Sequence, residues 1–96
     1  MKGYLVLDLS INDLNGFMEY AEKIPAFIAK HGGQYIVQGV IPELMEGDWQ
    51  PDRLVILEFP SQENAKEFLS DPEAQSLFAI RHKTTKSKLI LAEGCS

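Results

Sequence analysis

Four apolar runs of strand length, apolar periodicities of helical spacing and the turn signals between them predict an α+β fold. Its order is β-α-β-β-α-β, with one antiparallel four-stranded sheet and its helices on one face. Ninety-six residues make a single domain, residues 1–96, long enough for a modest core. A hydrophobic content of 45% places the chain among globular rather than disordered sequences.

The first strand is predicted over Lys2 to Leu9, where Tyr4, Leu5, Val6 and Leu7 are consecutive and apolar. Ser10-Ile11-Asn12-Asp13 is a turn and helix-start signal, with Asn12 or Ser10 as the capping residue. A helix follows from Asp13 to His31. Leu14, Phe17, Met18, Ala21, Ile24 and Ile28 recur on one stripe. Pro25 lacks an N–H and clashes with the carbonyl four residues back, which predicts a kink or two short helices. Gly32-Gly33 supplies the left-handed residue that helix ends favour. Gln34 to Gly39 alternates as a second strand, with Tyr35 and Val37 on one face and Gln34, Ile36 and Gln38 on the other. Glu43 to Glu46 reads as a short strand continuing across a bulge before a turn at Gly47-Asp48. Arg53 to Phe59 is the third strand, stopped by Pro60. Ser61 caps a helix over Gln62 to Leu69, with Ala65, Phe68 and Leu69 inward. Asp71-Pro72-Glu73 starts another, running to about Lys83 and burying Ala74, Leu77, Phe78 and Ile80. Lys88 to Glu93 is the last strand. This is the split βαβ, ferredoxin-like arrangement.

Charge and composition exclude several functions. A net charge of −5 argues against nucleic-acid and anionic-membrane binding. Arg81, Lys83, Lys86 and Lys88 put four of the nine basic residues in eight positions, read as a solvated helix end rather than an anion site. No apolar run approaches the roughly 20 residues of a membrane span. The lone Cys95 has no partner for an internal disulfide, and the chain opens on a strand pattern, so the expected location is cytoplasmic. His31 and His82 lie far apart with no paired ligand spacing, so no metal is expected. No phosphate loop or dinucleotide fingerprint is present, so no cofactor is expected either.

Two strands predict a homodimer. Leu54-Val55-Ile56-Leu57 and Leu89-Ile90-Leu91-Ala92 are apolar at successive positions, and successive strand residues point to opposite faces. Helices cover one face only, so the other needs a cover. The same face of a second copy, related by two-fold symmetry, is the simplest. Each exposed aliphatic side chain forfeits about 1.5–3 kcal/mol of burial.

The ordered set of short motifs carries a resemblance. It comprises Gly3-Tyr4, Tyr20, Gly32-Gly33, Gly39, Glu46-Gly47-Asp48-Trp49, Pro51, Arg53 and Glu58-Phe59-Pro60. Ala65, Phe68, Pro72-Glu73, Gln75, Arg81 and Glu93-Gly94 complete it. The chain thereby resembles the bacterial family called domain of unknown function 1330 (DUF1330), within the dimeric α/β-barrel, ferredoxin-like superfamily. Ala74 departs from the aromatic expected after the Pro-Glu pair and is expected to widen a pocket edge. The resemblance implies the same fold and dimer. It supplies no catalytic residue, because the family has no established activity, and its superfamily mixes cofactor-free monooxygenases, other enzymes and proteins that only bind or assemble.

Six residues are candidates for a site between the sheet and its helices. His31 is a general base, or else a helix-end histidine held by the dipole. Glu58 shares a face with Leu54 and Ile56. It is either an acid–base group with a raised pKa or the ion-pair partner of Arg81 or a lysine. Arg53 and Arg81 are forks for an anionic group, with Asp48, Asp52 or Glu46 as alternative partners for Arg53. Trp49 and Tyr20 are pocket walls, Trp49 being also an anchor for the dimer seam, and Tyr4 and Tyr35 are further pocket or core phenols. The expected function is small-molecule binding of an organic acid or aromatic, with cofactor-independent catalysis as its enzymatic form. The alternative is a non-catalytic dimer whose polar groups are all satisfied within the protein.

Overall fold

A computed structural model describes all of residues 1–96. The elements are β1 (Gly3–Ile11), α1 (Leu14–Lys30), β2 (Gln34–Val40), β3 (Arg53–Phe59), α2 (Gln62–Ser70), a 3₁₀ turn (Pro72–Ala74), α3 (Gln75–Thr84) and β4 (Thr85–Glu93). The strands form one antiparallel sheet in the order β2-β3-β1-β4, the ferredoxin-like arrangement.

β1 is paired on both sides and alternates strictly. Leu5, Leu7 and Leu9 are buried under the helices, while Tyr4, Val6, Asp8 and Ser10 point the other way. Directly opposite residues of antiparallel strands share a face. Leu57, Val55 and Arg53 of β3, opposite Leu5, Leu7 and Leu9, therefore face the helices. So do Leu91 and Leu89 of β4. Phe59, Phe68 and Phe78 stack in sequence across sheet, α2 and α3, with centroid separations of 5.3 Å at each step. Ala74 is fully buried in this core. The pocket edge expected at Ala74 is overturned, because it packs among core side chains and does not line the cavity described below.

α1 is one continuous helix through Pro25, so of the two expected alternatives, a kink or two short helices, the second is overturned. Its cap is Asp13, whose carboxylate accepts from Gly16 N–H at 3.1 Å; Ser10 belongs to β1, and Asn12 N–H is spent on Thr84 carbonyl. The buried stripe is centred on Tyr20, Ile24 and Ile28 rather than on Leu14 and Met18, which are 61% and 45% exposed. At 3.6 residues per turn these two lie roughly 80° and 120° round the helix from Ile24. The helix ends as expected: Gly33 N–H donates to Ile28 carbonyl at 2.8 Å and Gly32 N–H to Ala29 carbonyl at 3.0 Å, with Gly32 at φ +79°.

β2 departs from regular alternation. Its register with β3 breaks between Tyr35 and Val37 and again between Gln38 and Val40. Tyr35 and Gln38 consequently face the helices, opposite Leu57 and Val55, whereas Val37 and Val40 lie opposite Ile56 and Leu54 on the other face. Gly39, at φ +71° with open space around it, allows the second break. The strand expected at Glu43 to Glu46 is absent. Residues 41–52 form a loop whose limbs are tied by Gln50 Nε2 donating to Pro42 carbonyl at 2.8 Å.

The face away from the helices is apolar at its centre, with Val6, Leu54, Ile56 and Ile90, and Ile90 is 62% exposed. The loop adds exposed Ile41, Leu44, Met45 and Trp49.

Two glycine substitutions separate packing from backbone strain. A Cβ at Gly33 would sit 2.6 Å from Phe59 Cε1. Gly33→Ala should therefore destabilise by about 1–3 kcal/mol through overpacking, whereas Gly39→Ala should cost about 1–2 kcal/mol from its left-handed backbone alone. Urea unfolding of both variants checks this; equal stability of Gly33→Ala and the parent would contradict the packing described.

Candidate functional site

Between α1 and the sheet lies a cavity of about 280 Å³. Its floor is the helix-facing row of the sheet, including Leu5, Leu7 and Leu9 with Val55 and Leu57, and Ile24 is among the α1 residues above it. The lining includes Tyr20, Tyr35, Gln38, Arg53 and Arg81 as its polar side chains, and no carboxylate, histidine, lysine or cysteine.

Arg81 dominates the electrostatics. The α3 periodicity that buries Leu77, Phe78 and Thr84 also turns Arg81 inward, and it is only 5% exposed. Its Nη1 donates to Tyr20 Oη and its Nη2 to His82 Nε2, both at 3.3 Å. Arginine can only donate, so His82 Nε2 stands as the acceptor in this contact. Arg81 Nε is buried without a hydrogen-bond partner. The guanidinium lies 5.7 Å from the Tyr20 ring centroid and 5.4 Å from that of Phe78, within cation–π range. No carboxylate lies within 4.0 Å of it. A buried charge normally has a counter-ion; this one has rings, a phenol and a cavity.

Tyr20 accepts from Arg81, which leaves its own O–H free to donate. Burial pushes the Tyr20 phenol above its ordinary pKa, against the opposing pull of Arg81. Tyr35 is pushed the same way by burial and then by Tyr20. Both phenols are neutral donors at pH 7. Arg53 is exposed at the cavity's edge, and its one hydrogen bond is a long 3.4 Å contact from Nη1 to Gly39 carbonyl. The expected pairing with Asp48, Asp52 or Glu46 does not form: Asp52 instead accepts from Ser10 Oγ at 2.7 Å.

The structure thus brings together three of the six sequence candidates, Tyr20, Arg53 and Arg81, and separates the others. His31 closes α1 and binds the buried Asp71 carboxylate at 2.8 Å, beside the Lys30 ammonium at 2.9 Å. Hydrogen bonds from Lys30 and then His31 hold the Asp71 carboxyl well below the usual range. This cluster ties the α1 end to the α2–α3 junction, outside the cavity. Glu58 lies on the open sheet face, where Gln34 Nε2 (2.9 Å), Lys2 Nζ (3.1 Å) and Tyr4 Oη (2.9 Å) all donate to it. These bonds lower its pKa, Gln34 contributing most. The raised pKa and the Arg81 pairing considered for Glu58 are both overturned, because three donors reach it and Arg81 is on the other side of the sheet. Trp49 also stands over the open face, its Nε1–H donating to Asp8 Oδ2 at 2.8 Å. A shallow hollow there is lined by Val6, Asp8, Trp49, Lys88 and Ile90. Gln38 escaped sequence reasoning, since simple alternation turned it away from Tyr35 and no glycine or proline marks the break between Tyr35 and Val37 that reverses it.

A family model described as domain of unknown function (DUF1330) matches residues 2–95. No curated protein is similar in sequence. Among solved structures, a protein of unknown function from Rhodopseudomonas palustris is similar at 18% identity and a TM-score of 0.81, covering 99% of this chain and 83% of that one. SnoaB, a cofactor-independent oxygenase from Streptomyces nogalater, is similar at 16% identity and a TM-score of 0.70, covering 99% and 94%. A dimeric protein of unknown function and ferredoxin-like fold from Bacteroides fragilis is similar at 16% identity and a TM-score of 0.58, covering 97% and 96%.

Two variants test these electrostatics. Arg81→Met replaces an unpaired buried cation by an apolar side chain of similar reach, so the melting temperature should be unchanged or higher. A loss of about 3–5 kcal/mol, typical of breaking a buried ion pair, would show that Arg81 has a protein counter-ion after all. Asp71 has a depressed folded-state pKa, so its contribution is present above its unfolded value of about 4 and is lost as pH falls through the folded value. Asp71→Asn should be less stable than the parent at pH 7, and the difference should shrink steadily as the pH falls below about 4 in thermal melts.

Proposed function

The chain belongs to the DUF1330 family, and from that premise we propose that it is a homodimeric binding protein for a small aromatic or similarly apolar organic acid. The ligand's body fills the cavity between α1 and the sheet, and its anionic group rests on Arg81 and Tyr20. One observation carries this reading: a buried guanidinium with a free Nε faces an apolar cavity and has no carboxylate partner in the protein. An incoming carboxylate, phenolate or enolate would supply the missing counter-charge in a low-dielectric site, where charge-assisted hydrogen bonds are strongest. A volume of about 280 Å³ suits a molecule of one or two rings.

Binding is favoured over acid–base catalysis by the lining itself. Proton transfer there would fall to Tyr20 and Tyr35, both pushed away from ionisation by burial. The candidates His31 and Glu58 lie outside the cavity, His31 bonded through Nε2 to Asp71 and Glu58 to three protein donors. The likeness to SnoaB, a cofactor-independent oxygenase, supports an enzyme of that kind as the second reading. In it, Arg81 and Tyr20 would stabilise negative charge on the ligand.

The homodimer reading rests on the uncovered apolar face and is supported by the Bacteroides fragilis neighbour, a dimer of the same fold. Face-to-face pairing would bury Val6, Leu54, Ile56 and Ile90 in both copies.

Calorimetry with 1-naphthoate and its uncharged amide tests the anion site. The carboxylate should bind at least tenfold tighter than the amide, and Arg81→Met should abolish the difference. Equal affinities, or an unaffected variant, would remove Arg81 as the anchor. For the dimer, Ile56→Lys puts a charge at the centre of the open face without touching the cavity. Size-exclusion chromatography with light scattering should give a dimer for the parent and monomer or aggregate for the variant, and a stable soluble dimer of Ile56→Lys would rule out the face-to-face arrangement.

A further inference from the structure

We propose that the ligand of this cavity is two-ended: an apolar body carrying one acidic group for Arg81 and a second acidic or acceptor group for Arg53 and Gln38. The inference rests on the reading that Arg81 holds an anion, and it concerns what the other end of the cavity selects.

Three observations support it. The cavity lining holds two guanidinium groups and no carboxylate, although the chain as a whole carries fourteen acidic residues against nine basic ones. A monoanion would leave one of the two cations unmatched; a ligand with two negative or acceptor groups matches both. Next, Arg53 is free. It is exposed, its only hydrogen bond is the 3.4 Å contact to Gly39 carbonyl, and no acid lies within 4.0 Å despite Glu43, Glu46, Asp48 and Asp52 in the preceding loop. Four of its five N–H donors remain open in a planar fork suited to a carboxylate.

The last observation is the shape of β2. Regular alternation after Tyr35 would turn Val37 toward the helices. The first register break, between Tyr35 and Val37, turns Gln38 there instead, opposite Val55, and sends Val37 to the open face. Gly39 sits in open space at positive φ, so its role is the backbone conformation and not clearance for a neighbour. An irregular strand thus brings an amide into the lining that also holds Arg53, at the place opposite Val55 where a regular strand would put a valine. Arg81 enters from the helix layer, whereas Arg53 and Gln38 come from the β2–β3 edge of the sheet. Leucine and valine side chains line the floor.

The test uses matched pairs of probes in calorimetry: terephthalate, 4-carboxyphenylacetate and 3-(4-carboxyphenyl)propanoate, each against the monoacid in which one carboxylate is replaced by methyl. At least one diacid should bind tenfold or more tighter than its monoacid. Arg53→Met, checked for native circular dichroism, should bring that diacid to the monoacid's affinity and leave the monoacid unchanged. Gln38→Leu should weaken the diacid by a smaller factor. Monoacids that bind and depend on Arg81, with no diacid binding tighter, would overturn the two-ended ligand while leaving the Arg81 anchor intact. Absence of binding by every probe, or binding indifferent to Arg81→Met, would overturn the anchor and this inference with it.

Discussion

The register of β1 is the constraint on which the rest depends. This strand is hydrogen-bonded on both sides, so its alternation is imposed on β3 and β4. Leu5, Leu7 and Leu9 inward bring Leu57, Val55 and Arg53 to the same face, along with Leu91 and Leu89. Val6 and Asp8 outward bring Ile56, Leu54, Ile90 and Lys88 to the opposite one. A slip of one residue would exchange the cavity floor with the open face. The cavity and the apolar sheet face are therefore two sides of one register.

Within that frame the polar residues divide by what satisfies them. Asp71 is met by Lys30, His31 and a backbone N–H, and Glu58 by Lys2, Tyr4 and Gln34. Both carboxylates are consequently held ionised, as their lowered pKa values require. Arg81 differs. Its neighbours are two rings, a phenol oxygen and a histidine nitrogen, none of them charged to oppose it. Burying a cation in this way costs stability in the empty protein. That cost sets Arg81 apart from Asp71 and Glu58, whose partners lie within the protein.

The same distinction explains why residue type alone was a poor guide to the site. His31 and Glu58 are the residues most able to move protons, and the fold consumes both in joining elements. His31 links the end of α1 to the α2–α3 junction, and Glu58 links the ends of β1, β2 and β3. Trp49, the most prominent aromatic, reaches across the open face to Asp8.

The amino-acid sequence by itself determined the order of elements, the helix end at Gly32-Gly33, the Ser61 and Asp71 caps and the two-sided apolar character of β3 and β4. Each is a local pattern of propensity or period that neighbouring residues enforce. Only the tertiary structure decided which way α1 turns, that β2 bulges twice, and that Arg81 faces inward without a counter-ion while Arg53 stays unpaired. The α1 stripe shifts toward Tyr20 and Phe27 because the helix must pack on the sheet and on α3 together, leaving Leu14 and Met18 in solvent. A charge's meaning lies in what stands within a few ångströms of it, and those neighbours are supplied by residues dozens of positions away.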